Sequence, residues 1–549
     1  MLPQELDNPL LTPQHEDESD NDLSTDDSPN SPDSLDSLDS LSPTSTICND
    51  DHPEAYKSVP LVLVTGFLAP SWKTIWGPLE KLQDTMTKTQ TLRNRVFLHV
   101  TPGMCSSVHD RACEIFFQLK GGKVDYGEEH SREAGHQRYG RDYEGTRFPS
   151  DSHLFVSIPN GPPPIHFIFS AILWQGGPTI YKLQELLATG FFVRAGHANT
   201  DADWIRSMTG VSAPFRGTTA VYLLGSQPYP YPPGAVHPFS FGSVVYRLLH
   251  LYEHLVPSSL RRMIYDLQVD HWDFARHGLW ACLKKSPWAE GTDNAPYDLC
   301  VGSRWRDWEK MRRERAEGRG WGGVGKKTWY RSFATCLAGP TPLFITSTPS
   351  DPDPTPTSAT PISTFASSLI PAPLHQLTVL PLHLLSLWVS HHRFTPGTSA
   401  LSPDELTASR SFHLDPSRWR RNDGLCSTVG QYHPGGCRQC GGWAGDSITD
   451  DDDDQELECR HRKQMGMGYA MYGREDMEKK EGKRPGVWYV TEMEGMSHLD
   501  LGLWNGSDMQ MLFWSETLEW LGKVDKWAEE KEEKGRVEVG SSKEEGIVA

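Results

Sequence analysis

An α/β layered domain, with a parallel sheet buried on both faces, is what three features of this sequence predict. Residues 59–64 form a continuous apolar run with β-branched members that ends at Thr65-Gly66-Phe67. Such a run reads as a strand covered on both sides, not as the alternating strand of a half-exposed sheet. Residues 106–119 carry apolar side chains at helical spacing, the mark of an amphipathic helix. Strand-like and helix-like segments then alternate over roughly three hundred residues, the pattern of layered α/β folds.

In order, the strand candidates are 59–64, 96–100, 165–169, 205–211, 329–334 and 487–491. Between them fall the 106–119 helix and a second helix that opens at Gln175-Gly176-Gly177 and runs through Leu187. Residues 242–260 are amphipathic, with Leu248, Leu249, Leu251 and Leu255 among polar neighbours.

Charge sets the boundaries of this domain. The chain has 549 residues, a net charge of −19 and a hydrophobic content of 37%, low for its length. Residues 1–56 hold fifteen Asp or Glu and no Lys or Arg, so only four of those negative charges (19 − 15) belong to the rest. A nearly neutral body carries no electrostatic footprint for nucleic acid. Residues 1–56, rich in Pro, Ser and Asp, cannot bury enough apolar surface to offset their ordering entropy and are expected to be disordered. One domain is expected at 57–525, with low-complexity insertions at 341–373 and 446–458 and a charged tail at 526–549. The opening residues MLPQELDNPL lack a basic region and an apolar run, so no secretory signal is read. No stretch reaches the ~20 apolar residues of a spanning helix. A cytoplasmic location is expected, secretion staying open should the chain start elsewhere. Ten cysteines are expected to be mostly free thiols in a reducing compartment.

From Asp110-Arg111-Ala112-Cys113-Glu114 onward the sequence resembles the zinc-containing bacterial lipases of the staphylococcal and thermophilic-bacillus group. The resemblance continues through Gly122-Lys-Val-Asp-Tyr-Gly-Glu-Glu-His130 and Gly135-His136-Gln-Arg-Tyr-Gly-Arg141. It returns in Ala213-Pro-Phe-Arg-Gly-Thr-Thr219, Tyr265-Asp-Leu-Gln-Val-Asp-His-Trp272 and Thr292-Asp-Asn-Ala-Pro-Tyr-Asp298. Asn422-Asp423-Gly424 and His498-Leu499-Asp500 close the series. It implies an α/β-hydrolase fold: a mostly parallel central sheet flanked by helices, with a helical lid and zinc-binding insertions. The implied activity is hydrolysis of lipid esters such as triacylglycerols through an acyl-enzyme. On that reading 242–260 would be a lid that opens at a lipid surface; the plainer reading is a packed helix.

The resemblance assigns Asp110, His130, His136 and Asp293 as ligands of a structural zinc, with Trp272 beside the metal. Two imidazoles and two carboxylates complete a tetrahedral shell and leave no open position, which argues against a catalytic zinc. A second cluster, Cys437-x-x-Cys440 with Cys459 and His461, has a short zinc-ribbon-like knuckle, but an acidic linker interrupts it and free thiols are the preferred reading. A calcium site is kept only in part. Asp500 supplies one acidic group, while Asn505 and Gly506 replace an Asp-Pro pair, and calcium favours charged oxygen ligands.

By the same resemblance Asp423 is the acid, His498 the general base, and Phe67 and Gln175 the backbone donors of an oxyanion hole. The nucleophile breaks the pattern. Gly-His-Ser should precede Gln175-Gly176-Gly177, but Phe169-Ser170-Ala171-Ile172-Leu173-Trp174 stands there, six residues for three, with Trp174 in the serine's place. Ser170 lies four residues too early and lacks flanking glycines, so it reads as a strand-end hydroxyl more readily than as a substitute nucleophile. As written the chain is expected to be inactive. A misplaced exon boundary is the preferred cause, since every neighbouring site position survives. The rival is an inactive zinc-stabilised module that binds lipid or a protein partner.

Overall fold

The computed structural model describes residues 59–67, 73–89, 95–143, 167–172, 176–198, 200–227, 234–317, 325–337, 382, 384–390, 403–412, 414–436, 458–465 and 484–545. Expectations for 1–56, 341–373, 446–457, Trp174, Gln175, Cys437 and Cys440 lie outside them.

The apolar runs become strands. β1 (Leu61–Val64), β2 (Phe97–Val100), β5 (Phe167–Ile172), β6 (Ile205–Val211), β7 (Trp329–Cys336), β8 (Cys459–Met465) and β9 (Trp488–Glu494) form one sheet. Its order is β2-β1-β5-β6-β7-β9-β8, and every pairing in it is parallel. A separate antiparallel hairpin joins β3 (Lys123–Asp125) to β4 (Tyr139–Asp142). The helices that matter for the site are α1 (Leu79–Thr89), α2 (Val108–Lys120), α3 (Glu128–Ala134) and α4 (Gly176–Ala188). Later come α5 (Phe241–Leu255), α6 (Ser258–Ile264) and the long α7 (Asp508–Glu545).

Alternation along β1 shows why a continuous apolar run was needed. Leu61 and Leu63 pack on one side with Leu82 of α1 and Phe513 and Trp514 of α7. Val62 and Val64 pack on the other with Phe116 of α2 and Ile180 and Leu183 of α4. All four β1 side chains are fully buried, each contributing about 1.5–3 kcal/mol of transfer free energy. A third apolar cluster, with Met104, Tyr246, Leu267, Trp272 and Trp288, packs α5 against residues 265–274 that follow it.

Three expectations need adjusting. β5 lies later than the 165–169 expected for it, so Ser170 is not at the strand end. Its backbone sits inside the strand, opposite Leu63 and Thr209. β8 was unforeseen because its sequence, CRHRKQM, has no apolar run; as an edge strand it covers only one neighbour, and charged residues suit such edges. The tail expected from 526 is the continuation of α7, whose Trp527 stacks on Trp329 of β7 at 4.6 Å. No described helix is long and apolar enough to cross a membrane.

Candidate active site and metal centre

In open parallel sheets, ligands sit beyond the carboxyl ends of the strands where the strand order reverses. Here the chain moves from β1 outward to β2 and then back across β1 to β5. The reversal therefore brings together the segments that follow β1 and β5. Phe67 follows β1. β5 ends at Ile172 and α4 begins at Gly176, and the sequence between them is Leu173-Trp174-Gln175. Glycine is required at the start of α4, because a Cβ on Gly177 would lie 2.6 Å from the Phe215 ring. Arg111 of α2 ties this region together from beneath. Its buried guanidinium donates to the Thr65 carbonyl, to Gly103 O at 2.5 Å and to Thr179 Oγ1 at 3.2 Å.

The expected acid and base meet at the same end of the sheet. Asp423 follows the Pro416–Arg420 turn and His498 follows β9. His498 Nδ1 and Asp423 Oδ2 are 2.8 Å apart and both side chains are buried. Thr335 Oγ1, from the end of β7, donates to the same oxygen at 2.8 Å and Gln431 Nε2 at 3.1 Å. The backbone N–H groups of Leu425 and Cys426 hold the other oxygen at 3.0 and 2.7 Å. The Asn422 side chain donates to Ser386 O, Ser390 Oγ and Arg420 O, which fixes the turn that presents Asp423. Cys426, which sequence reading did not single out, lies close to both Asp423 and His498. Burial, then the Asp423 charge, pushes its thiol well above the usual range, so it is no ready thiolate nucleophile. Ser170 remains a backbone placement inside β5 and is not at the turn.

The loop after His498 is held by an amide. Gln510 Nε2 donates to the carbonyls of Asp500 (2.9 Å) and Leu503 (2.6 Å), and its Oε1 accepts from the Asn505 N–H at 2.7 Å. Asp500 Oδ2 accepts from Ser497 N at 2.7 Å, and among the described residues Asp500 joins no group with cation-binding spacing.

Asp110, His130, His136 and Asp293 converge, with one ligand atom of each within 4.8 Å of the others. Asp110 comes from the first turn of α2, where Ser107 caps the helix. His130 comes from α3, and His136 lies just past the Gly135 cap that ends it. His130 Nε2 is 3.1 Å from Asp110 Oδ1 and 3.3 Å from Asp293 Oδ1, and His136 Nε2 is 3.2 Å from Asp293 Oδ2. Burial lowers the affinity of His130 for a proton, but Asp110 and Asp293 outweigh it and its pKa is pushed up to about 10. Burial likewise works against ionised Asp110, yet hydrogen bonds from His130 and His271 hold its carboxyl well below the usual range. His136 Nε2 and Asp293 Oδ2 are buried and have no hydrogen bond of good geometry. Two carboxylates and two imidazoles aimed at one point, with buried polar atoms left over, fit a divalent cation. Trp272 lies beside it, its ring 5.2 Å from that of His136. His271, passed over in the sequence beside Trp272, contacts Asp110 Oδ2 at 3.2 Å.

The second cysteine cluster gains His433, which lies with Cys459 and His461. The Arg216 guanidinium stands 3.2 Å from His433 Nε2, so a cation there would meet a fixed positive charge. The seven cysteines among the described residues form no disulfide.

A family model described as "Lipase-like, C-terminal domain" matches residues 59–228. A lipase of Staphylococcus hyicus is 28% identical over 184 residues, covering 31% of this chain and 24% of that protein. A lipase of Staphylococcus epidermidis is 31% identical over 193 residues, covering 31% of this chain and 25% of that protein. The chain thus spans about a quarter of the length of the curated relatives it matches. The crystal structure of the Staphylococcus hyicus lipase shares the fold, with a TM-score of 0.52 and 18% identity over 87% of this chain and 99% of that one. Residues 59–228 are thus similar in sequence to staphylococcal lipases, and the likeness in fold to one of them extends well beyond those residues.

Proposed function

We propose that the chain is built as a lipase-like carboxylic ester hydrolase for lipid esters such as triacylglycerols, lacking only its serine in the sequence as it stands. The observation that carries this reading is the buried 2.8 Å pair of Asp423 and His498 at the carboxyl end of the sheet. His498 would take the proton of an attacking serine and return it to the leaving alcohol, while Asp423 fixes its orientation. The N–H groups of Phe67 and Gln175 would face the oxyanion. Zinc is the cation this reading gives to Asp110, His130, His136 and Asp293; it would close a structural shell and take no part in the chemistry.

A nucleophile elbow would lie between the strand that ends at Ile172 and the helix that begins at Gly176, and the sequence puts Trp174 between them. An indole cannot attack a carbonyl. The unaltered chain is therefore expected to hydrolyse p-nitrophenyl esters only at background. Replacing residues 169–174 by Gly-His-Ser supplies the hydroxyl and the small residue that a tight elbow needs. Turnover is expected to appear, and to fall by several orders of magnitude with His498→Ala. A repaired chain that folds and hydrolyses nothing would sink the enzyme reading. Trp174 itself favours the second reading, an inactive lipid- or protein-binding relative, which would associate with lipid but stay silent after repair. Activity in the unaltered chain that Ser170→Ala abolishes would instead make Ser170 the nucleophile.

A further inference from the structure

The metal reading names four ligands but leaves open what aims them. The short 3-10 turn Asp270–Trp272 carries His271, whose side chain is almost wholly buried. His271 Nε2 lies 3.2 Å from Asp110 Oδ2, while the other oxygen of Asp110 faces His130 at 3.1 Å. Oδ1 thus lies nearest a neighbouring ligand, while Oδ2, 3.8 Å from His136 Nε2, has His271 as its nearer partner. The far nitrogen is held as well. His271 Nδ1 lies 3.2 Å from the Tyr126 hydroxyl, which donates to Glu114 Oε1 at 2.9 Å. Glu114 Oε2 in turn accepts from the Gly103 N–H at 2.5 Å. Asp110, Tyr126 and Glu114 are all buried. The same residue also touches the His136 side of the cluster, since the Gln137 N–H donates to the His271 carbonyl at 2.9 Å.

We propose that His271 is a positioning residue of the metal centre. Resting on the reading of Asp110, His130, His136 and Asp293 as a zinc site, it holds Asp110 in a one-oxygen ligating pose through a buried chain running from Tyr126 to Gly103. It is not itself a ligand, for it lies outside the set of four donors that converge within 4.8 Å. An imidazole braced at both nitrogens loses little freedom on ordering, and such outer partners of ligating carboxylates typically contribute about 10–100-fold in metal affinity.

The test uses the full chain, stripped with a chelator and titrated with Zn²⁺ against a chromophoric competitor. Wild type is expected to bind about one equivalent tightly. His271→Leu is expected to bind about 10–100-fold more weakly. His271→Gln, whose amide N–H can reach the same oxygen, is expected to recover most of that loss. Co²⁺ substitution separates positioning from ligation: the absorption of a four-coordinate centre should be the same in wild type and His271→Gln. Undiminished Zn²⁺ affinity in His271→Leu would overturn the proposal, as would a Co²⁺ spectrum that changes coordination number in His271→Gln. If His271→Leu does not fold, Tyr126→Phe carries the test, with a several-fold weaker affinity expected and an unchanged one fatal. Wild type that binds no Zn²⁺ is a different failure, that of the metal reading itself.

Discussion

Asp423 accepts hydrogen bonds from Thr335, Leu425, Cys426, Gln431 and His498. This makes it structural as well as chemical, because a buried donor left unpaired costs about 1–3 kcal/mol. Asp423→Ala is therefore expected to lower the denaturant midpoint markedly, whereas His498→Ala, which removes one of those donors, lowers it far less. Equal effects in urea unfolding would show that the network is not what fixes Asp423. The four residues of the candidate metal centre make a parallel case. Zinc analysis of purified protein should find about one equivalent, and chelation should lower the melting temperature. His130→Ala and His136→Ala should lower it too, without touching whatever hydrolysis the repaired chain gains. The pairing of Asp423 with His498 and the convergence of Asp110, His130, His136 and Asp293 were legible because each residue sits in a short block with a recognisable neighbourhood. His271, Cys426 and Gln510 were not, since their roles depend on contacts 161, 72 and up to 10 residues away that no local pattern announces.

Helix α5 shows what amphipathicity can and cannot reveal. Ser243, Tyr246 and His250 point inward, while Phe241, Val244, Leu248 and Leu255 are 65%, 49%, 58% and 70% exposed. The sequence could show an apolar helix but not that so much of its apolar surface faces outward. Nearby in sequence, Met263 and Ile264 at the end of α6 are also exposed, and apolar surface of this kind suits a lipid interface better than plain packing. Changing Phe241 and Leu248 to Glu together should abolish association with emulsified lipid while leaving the melting temperature nearly unchanged; undiminished association would return α5 to a packing role. The inner face has its own pH limit. His250 is buried against Ser286 at 2.7 Å, and burial, followed by the nearby His254 and His277, lowers its pKa from 6.5 to about 4. A histidine held neutral in the packed state contributes its full share above pH 6.5 and loses it as pH falls toward about 4. Protection factors of the α5 amides, with the intrinsic exchange rate divided out, should therefore fall between pH 7 and pH 4.5, and His250→Gln should flatten that change. Protection factors constant over that window would remove His250 as the cause.

At the scale of the whole molecule, the sheet was legible where burial on both faces left an apolar signature, as in β1 and β6. It was illegible at the β8 edge, where Arg460, Arg462 and Lys463 disguise a strand. The charged end of α7 was legible only in part, since the run of Glu and Lys after Lys523 reads as a solvated helix or frayed end. Yet Val524 and Asp525 are buried, and Asp525 pairs with Arg95 at 2.6 Å with both side chains shielded from water. Arg95 also donates to the Val59 carbonyl just ahead of β1, so the pair pins α7 to the start of β1. Two residues on, Trp527 lies against Trp329 of β7 and Trp520 at 4.6 and 5.5 Å. The fold should therefore end beyond Trp527. Truncation after residue 530 is expected to leave urea stability almost unchanged, because the helix it removes begins past these contacts. Truncation after Asp525 should cost about 1–3 kcal/mol, the partial loss of an aromatic packed on one side. Asp525→Ala in the full chain should cost more, about 3–5 kcal/mol, since it strands a buried guanidinium. That ranking is what separates anchored helix from tail: if truncation after Asp525 proves as harmless as truncation after 530, the stacking of Trp527 contributes nothing and the boundary read from charge was right.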